Sequence, residues 1–287
     1  MPAEPGSSMA PLAPGANGGA NGGVHGGVHG GARVPFQRLR VLLAMIVRET
    51  GTKFGRSYGG YLWAIVEPLG GILMLTLVFS FALRKPPMGD NFALFYATGI
   101  IPFMLFNNVS HSVAAAIQTN RGLLRYPVVT PLDTVLSKFV LDFLTMFMVA
   151  VLLYSGVILF FGLEVIFDAA SAALAFCLAG LLGLGLGTLN CVLFGFFPTW
   201  RNVWGVLTRP LFLMSGMFYT FQSLPMAMQD VLWWNPLIHI VGLMRAGFYG
   251  SYEAAYASPL YVLGVAGGLF VIGAYLLRRH ASVLIEG

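Results

Sequence analysis

Polar and ionisable side chains set inside long oily stretches are the residues of this chain most able to do chemistry, because an unpaired charge at mid-bilayer costs several kcal/mol. Glu67 and Arg209 are two of them, each roughly 10 Å along its apolar stretch at about 1.5 Å per helical residue. They could pair, within one chain or between two copies, or line a wet cavity. Asn107, His111 and Gln118 recur at helical spacing, with Asn108 and Ser112 beside them. Such a stripe either bonds to neighbouring helices or faces a hydrated path. Trp63, Phe103, Phe106, Phe212 and Tyr219 offer aromatic faces that could pack as core, meet lipid, or line a translocation path. Asp142, four residues after Lys138 on one helical face, is placed for a local ion pair.

Bond-making chemistry finds less support. A membrane-embedded enzyme would have to use His111, His239 or Glu67, and none has a nucleophile at motif spacing. No GxxxxGK[ST] occurs, so ATP cannot be bound by that route. GxSxG and HExxH are absent too. Cys177 and Cys191 share one apolar segment and give neither a disulfide framework nor zinc-ligand spacing. We therefore expect no catalytic residue, metal or cofactor in the chain itself.

The elements that must position these residues are membrane helices. The 287 residues are 57% hydrophobic and only 9% charged, with a mean hydropathy of +0.78. A soluble domain carries about a quarter charged residues, so most of this chain faces lipid. A net charge of +5 could suggest nucleic acid. The basic residues instead gather at the ends of apolar runs, as membrane orientation requires.

Residues 1–32 form a Gly/Ala-rich leader that cannot bury enough apolar surface to order itself, and His25 and His29 within it read as part of a flexible tail. Residues 33–58 form an interface segment: an amphipathic helix over 35–50, opened by Pro35 and carrying Gln37, Arg40 and Arg48 on its polar face, then a basic glycine-rich hinge. Residues 59–280 hold six spans, near 61–83, 92–117, 136–161, 169–196, 200–220 and 258–278, and a tail follows over 281–287. Between spans two and three lies a basic polar break, 118–138, in which Pro127 and Pro131 prevent one straight helix. Between spans five and six, 222–258 reads as one or two short helices dipping into the outer leaflet, or as an external loop over the helices. Only Arg84, Lys85 and Arg245 fall on the poorer side and Arg209 lies inside span five, so the richer side, with both termini and the 118–138 elbow, is cytoplasmic. The small-residue spacing Ala175, Ala179, Gly183, Gly187 predicts close helix packing.

Several strings taken together resemble a known family. Arg48-Glu49-Thr50, Phe54-Gly55-Arg56, Gly60 to Ala64 and Glu67-Pro68 look like the opening of capsular-polysaccharide export permeases, the membrane subunits of type-2 ABC exporters. Thr98 to Phe103, Asn120 to Pro127, and Asn235 to His239 with Arg245 are similar to the same family. The likeness covers about 33–280. It departs at Gly242 and Ala246, which flank Arg245 where the family pattern is acidic.

The resemblance implies an all-α membrane protein of the bacterial inner membrane, working as a homodimer with two copies of a separate cytoplasmic ATPase that binds ATP and magnesium. The interface helix and the coupling elbow, Asn120, Arg121, Leu123, Leu124, Arg125, Tyr126 and Pro127, would dock on that motor. The cargo would be lipid-linked capsular polysaccharide, handed to periplasmic and outer-membrane export proteins. O-antigen, teichoic acid or another amphipathic substrate is the alternative within the class. A structural scaffold leaves the polar stripe of span two unexplained.

Overall fold

A computed structural model describes residues 37–54, 60–125 and 129–286. The 1–32 leader, Tyr126, Pro127 and the hinge centre lie outside those residues, as does the Gln37 side chain. The regular elements among the described residues are all helices, with no strand. Five helices are long and apolar enough to cross a bilayer: Leu62–Ala82, Phe92–Leu124, Pro131–Phe161, Ala169–Phe196 and Pro259–Arg279.

The centre of the bundle is α6, Ala169–Phe196, started by Asp168, whose carboxylate accepts the Ala170 amide. Its small residues are why it sits there. A methyl group on Gly183 would lie 2.8 Å from the Phe106 carbonyl oxygen, and one on Gly187 2.8 Å from that of Ser110. Both carbonyls belong to α3, Phe92–Ala114. Gly185 meets Ala266 of α10, Pro259–Arg279, and Gly273 of α10 packs back against Thr188 and Leu189. Two helices thus approach α6 at backbone distance, the use the small-residue spacing predicts.

Around this core stand α2 (Gly60–Ala82) and α5 (Pro131–Phe161). Leu73, Met74 and Phe81 of α2 and Phe147 and Met148 of α5 are exposed. Those faces suit lipid or another protein, since apolar groups this numerous are not left to water. The third span begins at Pro131 rather than near 136. Thr130 and Asp133 form a reciprocal capping box, with Pro131 in the first turn where its missing amide costs nothing.

The fifth span differs more. Helix α7 is Trp200–Met214, 15 residues, short of the roughly 20 a crossing takes. The chain leaves the helix at Gly216, which adopts φ +81°. Beyond it the carbonyls of Met217 and Tyr219 turn to accept from the guanidinium of Arg245. After a 3-10 turn at Phe221–Ser223 come two short helices, α8 (Met226–Leu232) and α9 (Pro236–Phe248). These are the short helices expected there. The second span runs on past a bend at Ala115 into α4, Ala116–Leu124, and α1 is Gln37–Phe54. A last helix, α11, covers Ala281–Glu286.

Candidate functional site: elbow, cleft and clamp

The elbow is fixed by buried side-chain hydrogen bonds. Asn120 lies in α4 with non-helical angles, φ −116° and ψ 17°, and is buried. Its amide nitrogen donates to Glu49 Oε1 at 2.7 Å, while Arg48 Nη1 donates to its oxygen at 3.0 Å. Lys138 Nζ donates to Glu49 Oε2 at 3.0 Å. One buried carboxylate of α1 therefore holds both α4 and α5. Lys138 pairs with Glu49, from far along the chain, a partner that sequence spacing did not suggest. A cleft of about 370 Å³ opens beside the network, lined by Arg48, Glu49, Ser112, Thr119, Asn120 and Lys138.

Among the elbow residues named from sequence, Arg121 and Arg125 are exposed, Leu123 is half-buried and Leu124 is buried. Asn120 faces inward, so its contribution is to fix the elbow rather than to touch anything outside the chain. Arg40 and Arg48 are exposed on α1. Arg201, at the start of α7, donates to Gln118 Oε1, and Trp200 Nε1 donates to Asn190 Oδ1 at 3.1 Å. The beginning of α7 is thereby tied to the elbow and to α6.

Higher along α7, four of the sequence candidates meet. Phe103, His111, Arg209 and Phe212, with Gly205, Thr208 and Leu213, line an open cleft of about 460 Å³. Phe103 and Phe212 stand edge to face at 5.1 Å, and Phe106 backs Phe103 at 6.1 Å from within the core. Asn107 is half-buried one turn before His111. Trp63 and Glu67 are exposed on α2, and no ion pair among the described residues joins Glu67 to Arg209. The pairing within one chain is not made.

At the other end of α5, Arg245 of α9 is 1% exposed, although it carries a charge. Nη1 donates to the Tyr219 carbonyl at 2.7 Å and Nη2 to that of Met217 at 3.0 Å, and the guanidinium lies 4.2 Å over the Phe95 ring. Tyr219 thus enters this clamp through its backbone. His239 is also fully buried. Ser258 N donates to its Nδ1 at 3.2 Å, so the ring proton sits on Nε2, which bonds the Trp233 carbonyl at 2.7 Å. With both nitrogens engaged, His239 has no free lone pair for proton transfer.

The arrangement can bind, position and transmit movement. Among the described residues no group of His, Cys, Asp and Glu side chains could hold a metal ion. Sequence reasoning passed over Glu49, whose partners stand 71 and 89 residues away. Its one available signal was an acid inside a basic amphipathic helix, at a position that would otherwise face the apolar side.

The sequence pattern of the ABC-2 type transporter family matches residues 40–249. The chain is 30% identical over 257 residues to the polysialic acid transport protein KpsM of Escherichia coli, covering 88% of this chain and 99% of that one. It is 28% identical to the capsule polysaccharide export inner-membrane protein CtrC of Neisseria meningitidis, over 85% of this chain and 92% of that one. The capsule polysaccharide export inner-membrane protein BexB of Haemophilus influenzae is 26% identical over 85% of this chain and 92% of its own.

Proposed function

This chain belongs to the ABC-2 type transporter family, and on that ground we propose that it is the transmembrane permease subunit of an ATP-driven exporter of capsular polysaccharide. The observation that carries the reading is the likeness to capsule export proteins along nearly their whole length. The chain is a transport subunit of the inner membrane rather than an enzyme, and its fuel is burned elsewhere, in a separate cytoplasmic ATPase present in two copies. That partner binds the ATP and magnesium.

Two permeases form the working unit, and the passage for the lipid-linked polymer lies between them. Each contributes six membrane segments, with α7 and the turn after it forming the fifth. The exposed faces of α2 and α7 suit the seam, because Glu67 on the one and Arg209 on the other are charges that a lipid-facing surface would leave unmet. Both termini and the elbow lie in the cytoplasm, where the basic residues concentrate. The α8 and α9 helices sit at the outer leaflet, near the exit toward periplasmic and outer-membrane export proteins. Arg121 and Arg125 of α4, with α1 behind them, receive the motor's stroke, and the Glu49 network makes the two helices move as one.

The test is co-purification. Tagged chain, co-expressed in its own cells with candidate ABC ATPases, brings one of them down, and that ATPase's nucleotide hydrolysis in proteoliposomes changes when the permease is present. An isolated chain that hydrolyses nucleotide unaided, or intact capsule export in cells lacking the chain, sinks the reading.

A further inference from the structure

At the end of the bundle where α6 begins, hydrogen-bond donors lie near a buried positive charge that no carboxylate among the described residues pairs with. Arg245 satisfies both terminal nitrogens with neutral backbone carbonyls. Its Nε is buried without a partner, and so are the hydroxyls of Tyr96 and Tyr249. The three sit on neighbouring residues. Tyr249 follows Arg245 by one helical turn, Tyr96 adjoins the Phe95 ring under the guanidinium, and both phenols lie within electrostatic reach of it.

The ionisable groups facing the guanidinium are phenols: Tyr219 from the turn after α7, Tyr249 from the end of α9, Tyr252 and Tyr256 from the following loop, and Tyr96 from α3. Carboxylates at this end of the molecule are engaged elsewhere or face outward. Asp90 lies 4.0 Å from Lys85, Asp168 caps α6, and Glu253 is exposed. The flanking turn of α9 has no room for an acid at Gly242, where an added side chain would strike Tyr256.

A buried charge is kept only when paired, and a buried N–H or O–H only when it has an acceptor. Three donors around one uncompensated cation ask for an acceptor that carries negative charge. We propose that Arg245 Nε, Tyr96 and Tyr249 form a binding site for one small monovalent anion of the halide class, a structural counter-ion that locks α3, α9 and the turn after α7 together. Water satisfies two donors and leaves the charge unmet. The site stands apart from the transport reading and does not depend on it.

The experiment follows thermal unfolding of the full-length chain in detergent, with sodium gluconate exchanged for sodium chloride or bromide at constant ionic strength. A ligand bound by the folded state alone raises the melting temperature in proportion to the logarithm of its concentration. We expect that rise in the native chain, and bromide density beside Arg245 Nε. The double variant Y96F/Y249F removes two hydroxyls and keeps the rings. In it the halide concentration needed for the same rise increases roughly tenfold or more, as loss of a hydrogen bond to a charged group requires. Equal melting of the native chain in gluconate and halide overturns the proposal in favour of water. An unchanged halide response in Y96F/Y249F overturns it too, by placing the anion elsewhere.

Discussion

Lys138 Nζ lies 3.0 Å from Glu49 Oε2, an ion pair between the first helix and the start of the third long one, with both side chains about nine-tenths buried. Because Glu49 also accepts from Asn120, breaking the pair frees a charge and the kink of α4 together. E49Q removes the carboxylate that Lys138 faces across the helices, and we expect a loss of about 3–5 kcal/mol, the usual cost of halving a buried pair. The swap E49K/K138E recovers part of it. Denaturation of the purified chain measures both, and a neutral E49Q shows that the lysine finds water instead.

That network also marks the limit of what the sequence could tell. The fourth span is legible to the residue because Asp168 announces it and Phe197-Pro198 closes it, both local signals. The start of α5 is harder. Its first turn is polar, so apolar content alone sets it near 136, although the capping box of Thr130 and Asp133 is written in the chain. The end of α7 is partly local, at the left-handed Gly216, but the path beyond it is held by Arg245, more than twenty residues later, through the Met217 and Tyr219 carbonyls. Glu49 shows in the sequence only as a misplaced acid, because its partners stand 71 and 89 residues away. The cleft on α7 was half legible: the polar stripe and the rings were visible, but their meeting depends on how α3 and α7 cross.

The close helix crossings give a second test. At Gly187 an added methyl would sit 2.8 Å from both the Ser110 carbonyl oxygen and Val113 Cβ, and a backbone carbonyl cannot turn away as a side chain can. G187A should cost roughly 1–3 kcal/mol by overpacking. Gly264 of α10 has nothing within 4 Å, so G264A should be neutral or slightly stabilising. Melting curves of the two variants side by side decide it. Equal stability means that α3 and α6 do not approach as described.

Arg121 and Arg125 are exposed on the elbow, whereas Asn120 is spent inside it. R121E/R125E should therefore leave folding intact and remove export, with the bound ATPase lost or its hydrolysis no longer tied to transport. N120A should behave differently, lowering stability by about 1–3 kcal/mol because Glu49 loses a buried donor. A double glutamate variant that exports normally would place the contact with the motor elsewhere.

Glu67 and Arg209 are both exposed and unjoined within the chain, each inside an apolar helix. In the proposed dimer they pair across the seam. E67A and R209A should each depress export, and E67R/R209E should restore it. Cysteines at the two positions should link two copies covalently under mild oxidation. A swap no better than either single variant, with no cross-linked dimer, removes this contact from the seam.

His239 carries the pH dependence. Burial holds its pKa below the ordinary histidine value, partly offset by the hydrogen bonds to the Trp233 and Tyr256 backbones. The Ser258 amide donates to Nδ1, so a second proton there would meet a donor and break the cap of α10. The groups around the ring are Trp233, Tyr256 and Tyr261, and none of them supplies a negative charge to welcome that proton. The unfolded chain takes up a proton near pH 6.5 and the folded chain only at lower pH, so the unfolded state binds more protons between the two values. Stability is therefore complete above about pH 6.5 and falls as pH drops through the depressed folded value. H239Q is expected to melt lower than the native chain at neutral pH and to lose much less stability on acidification. Melting temperature measured from pH 8 down to pH 5, on both proteins, tests the sign as well as the site. Parallel curves for the two would assign the acid sensitivity to another group.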